Sequence, residues 1–107
     1  MNRMARGNGE RRGEPRAEVR LPCTLRRPHG TPVTCETVEI GPGGMSVASR
    51  RPLAQDEMLR FDLPAADGQK LCGEARVLRQ HGHQVYALAF EHLQEAVRIR
   101  LERFVRV

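Results

Sequence analysis

Lysine is almost missing from this chain: of its 18 basic residues only Lys70 is not an arginine. Aromatic residues are scarce as well, at 4% of 107 residues with no tryptophan. A protein that holds single-stranded nucleic acid by base stacking needs exposed aromatic platforms. Here Phe61, Tyr86, Phe90 and Phe104 all fall on apolar faces of the patterns described below. Long apolar runs are missing too. None approaches the roughly 20 residues that span a bilayer, and Met1 to Arg16 is polar and charged where a signal peptide would be apolar. Cys23, Cys35 and Cys72 are few, odd in number and far apart, with no C-x-x-C pair, so a reducing cytoplasm is the expected compartment.

Catalytic sets are equally absent. No serine or cysteine has a nucleophile-elbow context. His29, His81 and His83 fall in predicted turns, and His92 opens a predicted helix. His81 and His83 have the spacing of metal ligands on one strand face, but solvated turn histidines are the simpler reading. Cys23, and less clearly Cys35, read as small buried hydrophobes, while Cys72 falls opposite the apolar face of its strand. The expectation is no enzyme, no metal and no cofactor.

What is present is charge at the two ends. The net charge is +5, but residues 1–16 hold five arginines and two glutamates, and residues 93–107 hold four arginines and two glutamates. Between them, nine basic residues balance nine acidic ones. That distribution points to a local anion site or solvated ends rather than a basic coat along which a polynucleotide would track.

The length and the 39% hydrophobic content suit one domain with one core. Residues 1–10 show no apolar period and read as a mobile tail, leaving 11–107 as the domain. From Ala17 to Arg26, Val19, Leu21, Cys23 and Leu25 alternate with polar residues, the mark of a half-buried strand. Pro22 on the polar face fits an edge or a bulge. Val33 to Ile40 is rich in β-formers, and its apolar phase slips by one residue between Cys35 and Val38, which predicts a β-bulge. Gly41-Pro42-Gly43-Gly44 breaks the pattern before Met45 and Val47 resume it. Leu59-Phe61-Leu63, Leu71-Gly73-Ala75-Val77 and Tyr86-Leu88-Phe90 give three further strands. They are separated by turns at Pro64–Gly68 and Gln80–His83. The period then lengthens: Leu93, Ala96, Val97, Leu101, Phe104 and Val105 form the apolar stripe of a helix of about 12 residues. The predicted class is all-β, a six-stranded antiparallel barrel capped by a C-terminal helix.

Two polar segments lie outside this scaffold. Arg11-Arg12-Gly13-Glu14-Pro15-Arg16 precedes the first strand, and Glu39-Ile40-Gly41-Pro42-Gly43-Gly44 joins two strands. Taken alone, they also fit a solvated arm and a tight turn. Arg12-x-x-x-Arg16, followed by a Val-Arg-Leu-Pro strand, resembles the opening motif of PilZ domains, bacterial receptors for cyclic di-GMP. The Glu39–Gly44 segment is similar to that family's second motif, Asp/Asn-x-Ser-x-x-Gly. The Leu88-Ala89-Phe90-Glu91 strand end and the arginine-rich terminal helix add to the likeness, which covers about residues 10 to 106.

The resemblance implies a six-stranded barrel with a terminal helix. It also implies a ligand site in which Arg12 and Arg16, supported by Arg11, grip phosphate and the guanine O6/N7 edge. Guanidinium forks suit both targets. Glu39 would accept hydrogen bonds from the base, and Gly44 would allow close approach. Two positions depart from the family pattern. Glu39 adds a methylene to the usual acid, and Gly41 lacks the usual hydroxyl, so binding weakened by about fivefold to tenfold per lost hydrogen bond is expected. The implied activity is a cyclic di-GMP receptor that acts through an unidentified protein partner in motility, exopolysaccharide or virulence control. Two alternatives remain at this stage: an adaptor that no longer binds the nucleotide, and a small basic nucleic-acid binder.

Overall fold

The computed structural model describes residues 16–64 and 68–105, with side chains up to Arg103. Arg11, Arg12, the 1–10 segment, most of the Pro64–Gly68 turn, and the side chains of Phe104 and Val105 lie outside the described residues. The elements in chain order are β1 (Ala17–Glu18), β2 (Pro22–Arg26), β3 (Val33–Ile40), β4 (Gly44–Ala48), β5 (Met58–Pro64), β6 (Lys70–Gly82), β7 (Val85–Glu91) and α1 (Glu95–Val105).

All the pairings are antiparallel, and the strands close into a ring in the order β3-β2-β5-β6-β7-β4, with β4 returning to β3. Closure removes the open edges of the sheet. β1 pairs with the C-terminal end of β3, beyond the stretch taken by β2. The barrel is therefore six-stranded, with α1 packed against it, as the sequence pattern implied.

The alternating residues fill the interior. Ile40 faces Met45, Met45 faces Leu88 and Leu88 faces Val77, one inward row that runs across four strands. All four are buried. Phe61 is fully buried and its ring centroid lies 5.2 Å from that of Phe90. Leu101 of α1 is also fully buried, and Leu93 and Val97 pack on the same core. The predicted phase slip in β3 is present as a register shift between Thr37 and Glu39.

The single strand predicted over Ala17–Arg26 is instead two, separated by Val19–Leu21. The cause is Thr37, which is completely buried beside the bulge. Its hydroxyl accepts from the Leu21 N–H at 2.9 Å and donates to the Val19 carbonyl. Those two backbone groups thus bond to a side chain instead of a regular ladder partner. Replacing Thr37 with valine keeps the shape and deletes both contacts. An unsatisfied buried backbone group costs about 1–3 kcal/mol, so Thr37→Val is expected to lower the unfolding free energy by about 2 kcal/mol. It should also speed hydrogen exchange at the Leu21 amide; exchange unchanged from wild type would show that the hydroxyl is not what holds the segment.

The turn predicted at Gln80–His83 is also displaced. β6 runs on to Gly82, with register shifts at Val77/Arg79 and Gln80/Gly82, and the chain reverses at His83 and Gln84. Residues 78–83 are exposed, so the strand continues past the core and loses the apolar alternation that would reveal it.

Two carboxylates tie the outside of the barrel together. Arg27 reaches Glu57 at 2.5 Å and the Pro52 carbonyl at 2.9 Å, while the Ala54 N–H donates to Glu57 at 3.0 Å. Burial alone would raise the Glu57 carboxyl, but the hydrogen bonds from Arg27 and the Ala54 amide outweigh it and hold the group below its ordinary value. Asp62 behaves alike: burial opposes ionisation, and the Cys72 thiol and Arg26 overcome it. Both groups hold their protons less tightly when folded than when unfolded. Their stabilisation is complete above the ordinary carboxylate range and is lost as pH falls through the lowered values. The melting temperature should hold from neutrality to about pH 5 and fall below about pH 4. Glu57→Gln should shallow that fall.

Candidate functional site

The outward faces of four strands form one continuous surface. Glu39 of β3 stands opposite Ser46 of β4, Ser46 opposite Ala87 of β7, and Ala87 opposite Arg79 of β6. One row along, Gly44 faces Ala89 and Ala89 faces Arg76. Opposed residues in an antiparallel pair share a face. The middle of this surface is therefore floored by Gly44, Ser46, Ala87 and Ala89, none larger than serine. Of these four, Gly44 and Ser46 are buried and Ala87 and Ala89 half-buried.

Charged groups stand on both sides of the floor. On the β3 side, Arg16 immediately precedes β1, whose Ala17 pairs with Ile40. The Arg16 Nη1 donates to Glu39 Oε1 at 2.8 Å, with both side chains partly open to solvent. Arg16, the last residue of the first arginine segment, and Glu39, the first of the glycine segment, 23 positions apart, thus meet on one face of the barrel. On the β6 side stand Arg79, Arg76 and His81. Arg76 is paired with Glu91 at 3.2 Å. His81 Nε2 lies 3.2 Å from the Ser46 Oγ.

The Gly41–Gly44 turn is fixed at the end of this surface. The Gly41 N–H donates to the Gly44 carbonyl at 2.9 Å, and the Phe90 N–H donates to the Gly43 carbonyl at 3.0 Å. Gly41 is buried, and Gly43 is exposed. Gly44 has a structural reason to be glycine. A Cβ there would lie 2.2 Å from the Leu88 carbonyl oxygen, so β4 and β7 approach too closely for any side chain.

Of the residues singled out in the sequence, Arg16, Glu39, Gly41 and Gly44 come together here; Arg11 and Arg12 are outside the described residues. Sequence reading missed Ser46 and His81. Ser46, between Met45 and Val47, is an outward residue that is only 3% exposed. His81 was assigned to a turn and instead lies in β6. A lone serine on the polar phase of a strand next to the glycine turn was the available signal for the first. The second was singled out only with His83, for a spacing that suits metal ligands on one strand face.

A cavity of about 450 Å³ lies elsewhere, at the opposite end of the β3–β4 hairpin, among Thr34, Cys35, Glu36, Ala48, Ser49, Arg50 and Gln84. The small-residue surface is thus distinct from this cavity. Among the described residues, no cluster of three or more His, Cys, Asp or Glu is placed to hold a metal. None of the described helices is long and apolar enough to cross a membrane.

The fold is a small six-stranded β-barrel with a C-terminal helix, and comparison with known proteins names the class. The model of the PilZ domain family matches residues 10–106, and the chain belongs to that family. Three solved structures share its fold. The inhibitor of motility from Bacillus subtilis (MotI/DgrA) superposes with a TM-score of 0.75 at 18% identity, covering 90% of this chain and 49% of that one. YcgR from Escherichia coli, solved in complex with c-di-GMP, gives 0.76 at 13% identity, covering 90% and 45%. The PilZ domain of CeSA from a cellulose-synthesizing bacterium gives 0.68 at 19% identity, covering 84% and 93%. The chain thus spans about half the length of MotI and of YcgR. A search of curated proteins by sequence finds no match.

Proposed function

We propose that this chain is a cyclic di-GMP-responsive adaptor, whose ligand lies on the Gly44–Ser46–Ala87–Ala89 floor and whose output is contact with a protein partner. The observation that carries this reading is the Arg16–Glu39 pair beside the glycine turn. An ion pair of this kind makes a selective exchange site. A simple anion would take Arg16 and strand the Glu39 carboxylate. A simple base would take Glu39 and strand the guanidinium. A ligand carrying a phosphate next to a guanine satisfies both at once, the phosphate on Arg16 and the guanine N–H groups on Glu39. Arg12 and Arg11 would add to the phosphate grip. The structural neighbours support the same reading, because YcgR was solved in complex with c-di-GMP and MotI is an inhibitor of motility.

The two departures from the family motif have counterparts in the geometry. The extra methylene of Glu39 carries its carboxylate to Arg16. The hydroxyl missing at Gly41 has a neighbour in Ser46, the register partner of Glu39. Ser46 is proposed to supply the polar contact that position 41 cannot.

Calorimetric titration of the chain with cyclic di-GMP tests the proposal. Saturable one-site heat, with weaker binding on Ser46→Ala, is the expected result. Absence of heat at high micromolar ligand would favour the second reading, an adaptor that no longer binds nucleotide. That reading is motivated by Glu39 already having a partner and by Gly41 having no side chain. Restoring the family pattern with Glu39→Asp plus Gly41→Ser should tighten binding by about fivefold to tenfold for each hydrogen bond regained. If that pair of changes leaves the affinity unaltered, positions 39 and 41 do not limit it. Nucleic-acid binding has little support, since Phe61 and Tyr86 are buried at 0% and 5% exposure and offer no stacking platform.

A further inference from the structure

Cys23 of β2 and Cys35 of β3 are direct register partners. Both lie in the core cluster, at 1% and 8% exposure, so both thiols point inward and face each other. Neither contributes to the ligand face, and the sequence had suggested only two separate small hydrophobes. Cys72 is different. It pairs with Asp62 on the outer surface of β5–β6, and its thiol donates to that carboxylate.

The pairing pattern fixes the kind of position the two thiols occupy. The Thr37 N–H donates to the Leu21 carbonyl at 2.8 Å, so Leu21 and Thr37 are a bonded pair of the ladder. Pro22 and Glu36 follow as a non-bonded pair, as Pro22 has no N–H to give. Cys23 and Cys35 are then the next bonded pair, where Cα atoms stand about 5.5 Å apart. That separation is within the range a disulfide accepts, while the Cβ atoms must draw in from about 5 Å to about 4 Å. A bond formed at such a site is held under strain and is readily reduced.

One of the two cysteines borders open space. Cys35 is on the wall of the cavity of about 450 Å³, with Thr34, Glu36, Ser49 and Gln84, and with exposed Arg50 to attract an anionic reagent. Cys23 has no such opening. Its thiol donates to the Cys35 sulfur, which raises Cys23 and lowers Cys35 from the ordinary thiol value. Cys35 is the one an entering reagent meets first, and the thiolate is the nucleophile.

We infer that Cys35 and Cys23 form a reversible thiol–disulfide modification site, entered from the cavity by a small anionic disulfide. The Cys35 thiolate attacks one sulfur of the reagent. The reagent's S–S bond breaks, a first thiolate leaves, and a mixed disulfide remains on Cys35. Cys23 then passes its proton to the thiolate just released and attacks the Cys35 sulfur. The internal bond forms and a second thiolate leaves. Two protein thiols are oxidised and one reagent disulfide is reduced to two thiols, so atoms and electrons balance. The bond would fasten β2 to β3, the strand that carries Glu39. The site stands independently of what the outer face binds.

The probe is oxidised glutathione, applied to the folded chain and to its Cys72→Ser variant, with intact mass and peptide mapping as readout. The expected product is lighter by two hydrogens, maps to Cys23 joined to Cys35, and reverts with dithiothreitol. Cys23→Ser should stop at a single glutathionyl group on Cys35, and Cys35→Ser in the Cys72→Ser background should take none. If Cys72 of the unsubstituted chain is modified while Cys23 and Cys35 stay reduced, the inference is overturned. A first adduct on Cys23 would overturn the order of attack. The unsubstituted chain alone decides whether the internal bond forms, so a variant that fails to fold does not shield the proposal.

Discussion

Replacing Gly44 with alanine is expected to cost about 3 kcal/mol of stability, the upper end of what an overpacked methyl group brings. The atom in the way is a backbone carbonyl, Leu88 O, at 2.2 Å from the new Cβ. A flexible side chain would swing aside; this carbonyl is fixed in the β4–β7 pairing, where Met45 is the register partner of Leu88 and Gly44 of Ala89. Relief requires the two strands to part beside the Gly41–Gly44 turn, at the edge of the proposed ligand face. A domain of this size has only about 5–15 kcal/mol to lose, and at about 4–8 °C per kcal/mol the melting temperature should drop by more than about 10 °C. The resemblance alone gives Gly44 a role in ligand approach. Were that its sole role, Gly44→Ala would melt like wild type and lose only affinity. The melting curve separates the two.

Replacing Arg16 with alanine should do the reverse, sparing stability and removing affinity. Arg16 and Glu39 are 47% and 32% exposed. Pairs this open contribute about 0–1 kcal/mol, so the melting temperature should stay within a few degrees of wild type. Binding is another matter. The ligand's phosphate loses a charge-assisted contact worth about 1.5–3 kcal/mol. Glu39 also loses the cation that holds it beside the floor. The dissociation constant for cyclic di-GMP should rise at least tenfold, with Arg12→Ala acting in the same direction. An affinity unchanged by Arg16→Ala would remove Arg16 from the site. A collapse in melting temperature would recast the pair as a structural clamp.

Much of this was legible in the sequence, and what was not has a physical cause. Strict alternation of apolar residues identified β5 and β7, richness in β-formers identified β3, and the one-residue slip between Cys35 and Val38 located the bulge. Those signals exist because one face of each strand must be buried. The break at Val19–Leu21 was hidden because the apolar alternation runs straight through it; only the Thr37 hydroxyl reveals that the ladder is interrupted. The far end of β6 was hidden because it projects beyond the core, where no face is buried and no alternation is required. Ser46 was hidden because a floor of small residues leaves no periodic trace, and His81 because it lies on that projecting end of β6. The approach of Arg16 to Glu39 depends on register, as does the facing of Cys23 and Cys35, and register is a property of the folded pair of strands. Single-strand patterns are silent on it.

The central claim is that the arginine segment and the glycine turn enclose one ligand over one face of the barrel. Amide chemical-shift mapping of the ¹⁵N-labelled chain during titration with cyclic di-GMP tests it most directly. The account predicts concerted shifts at Arg16–Glu18, Glu39–Ser46 and the 79–89 segment, with little change around Thr34, Arg50 and α1. Shifts centred on the Thr34–Arg50 cavity, or no shifts at saturating ligand, would contradict it.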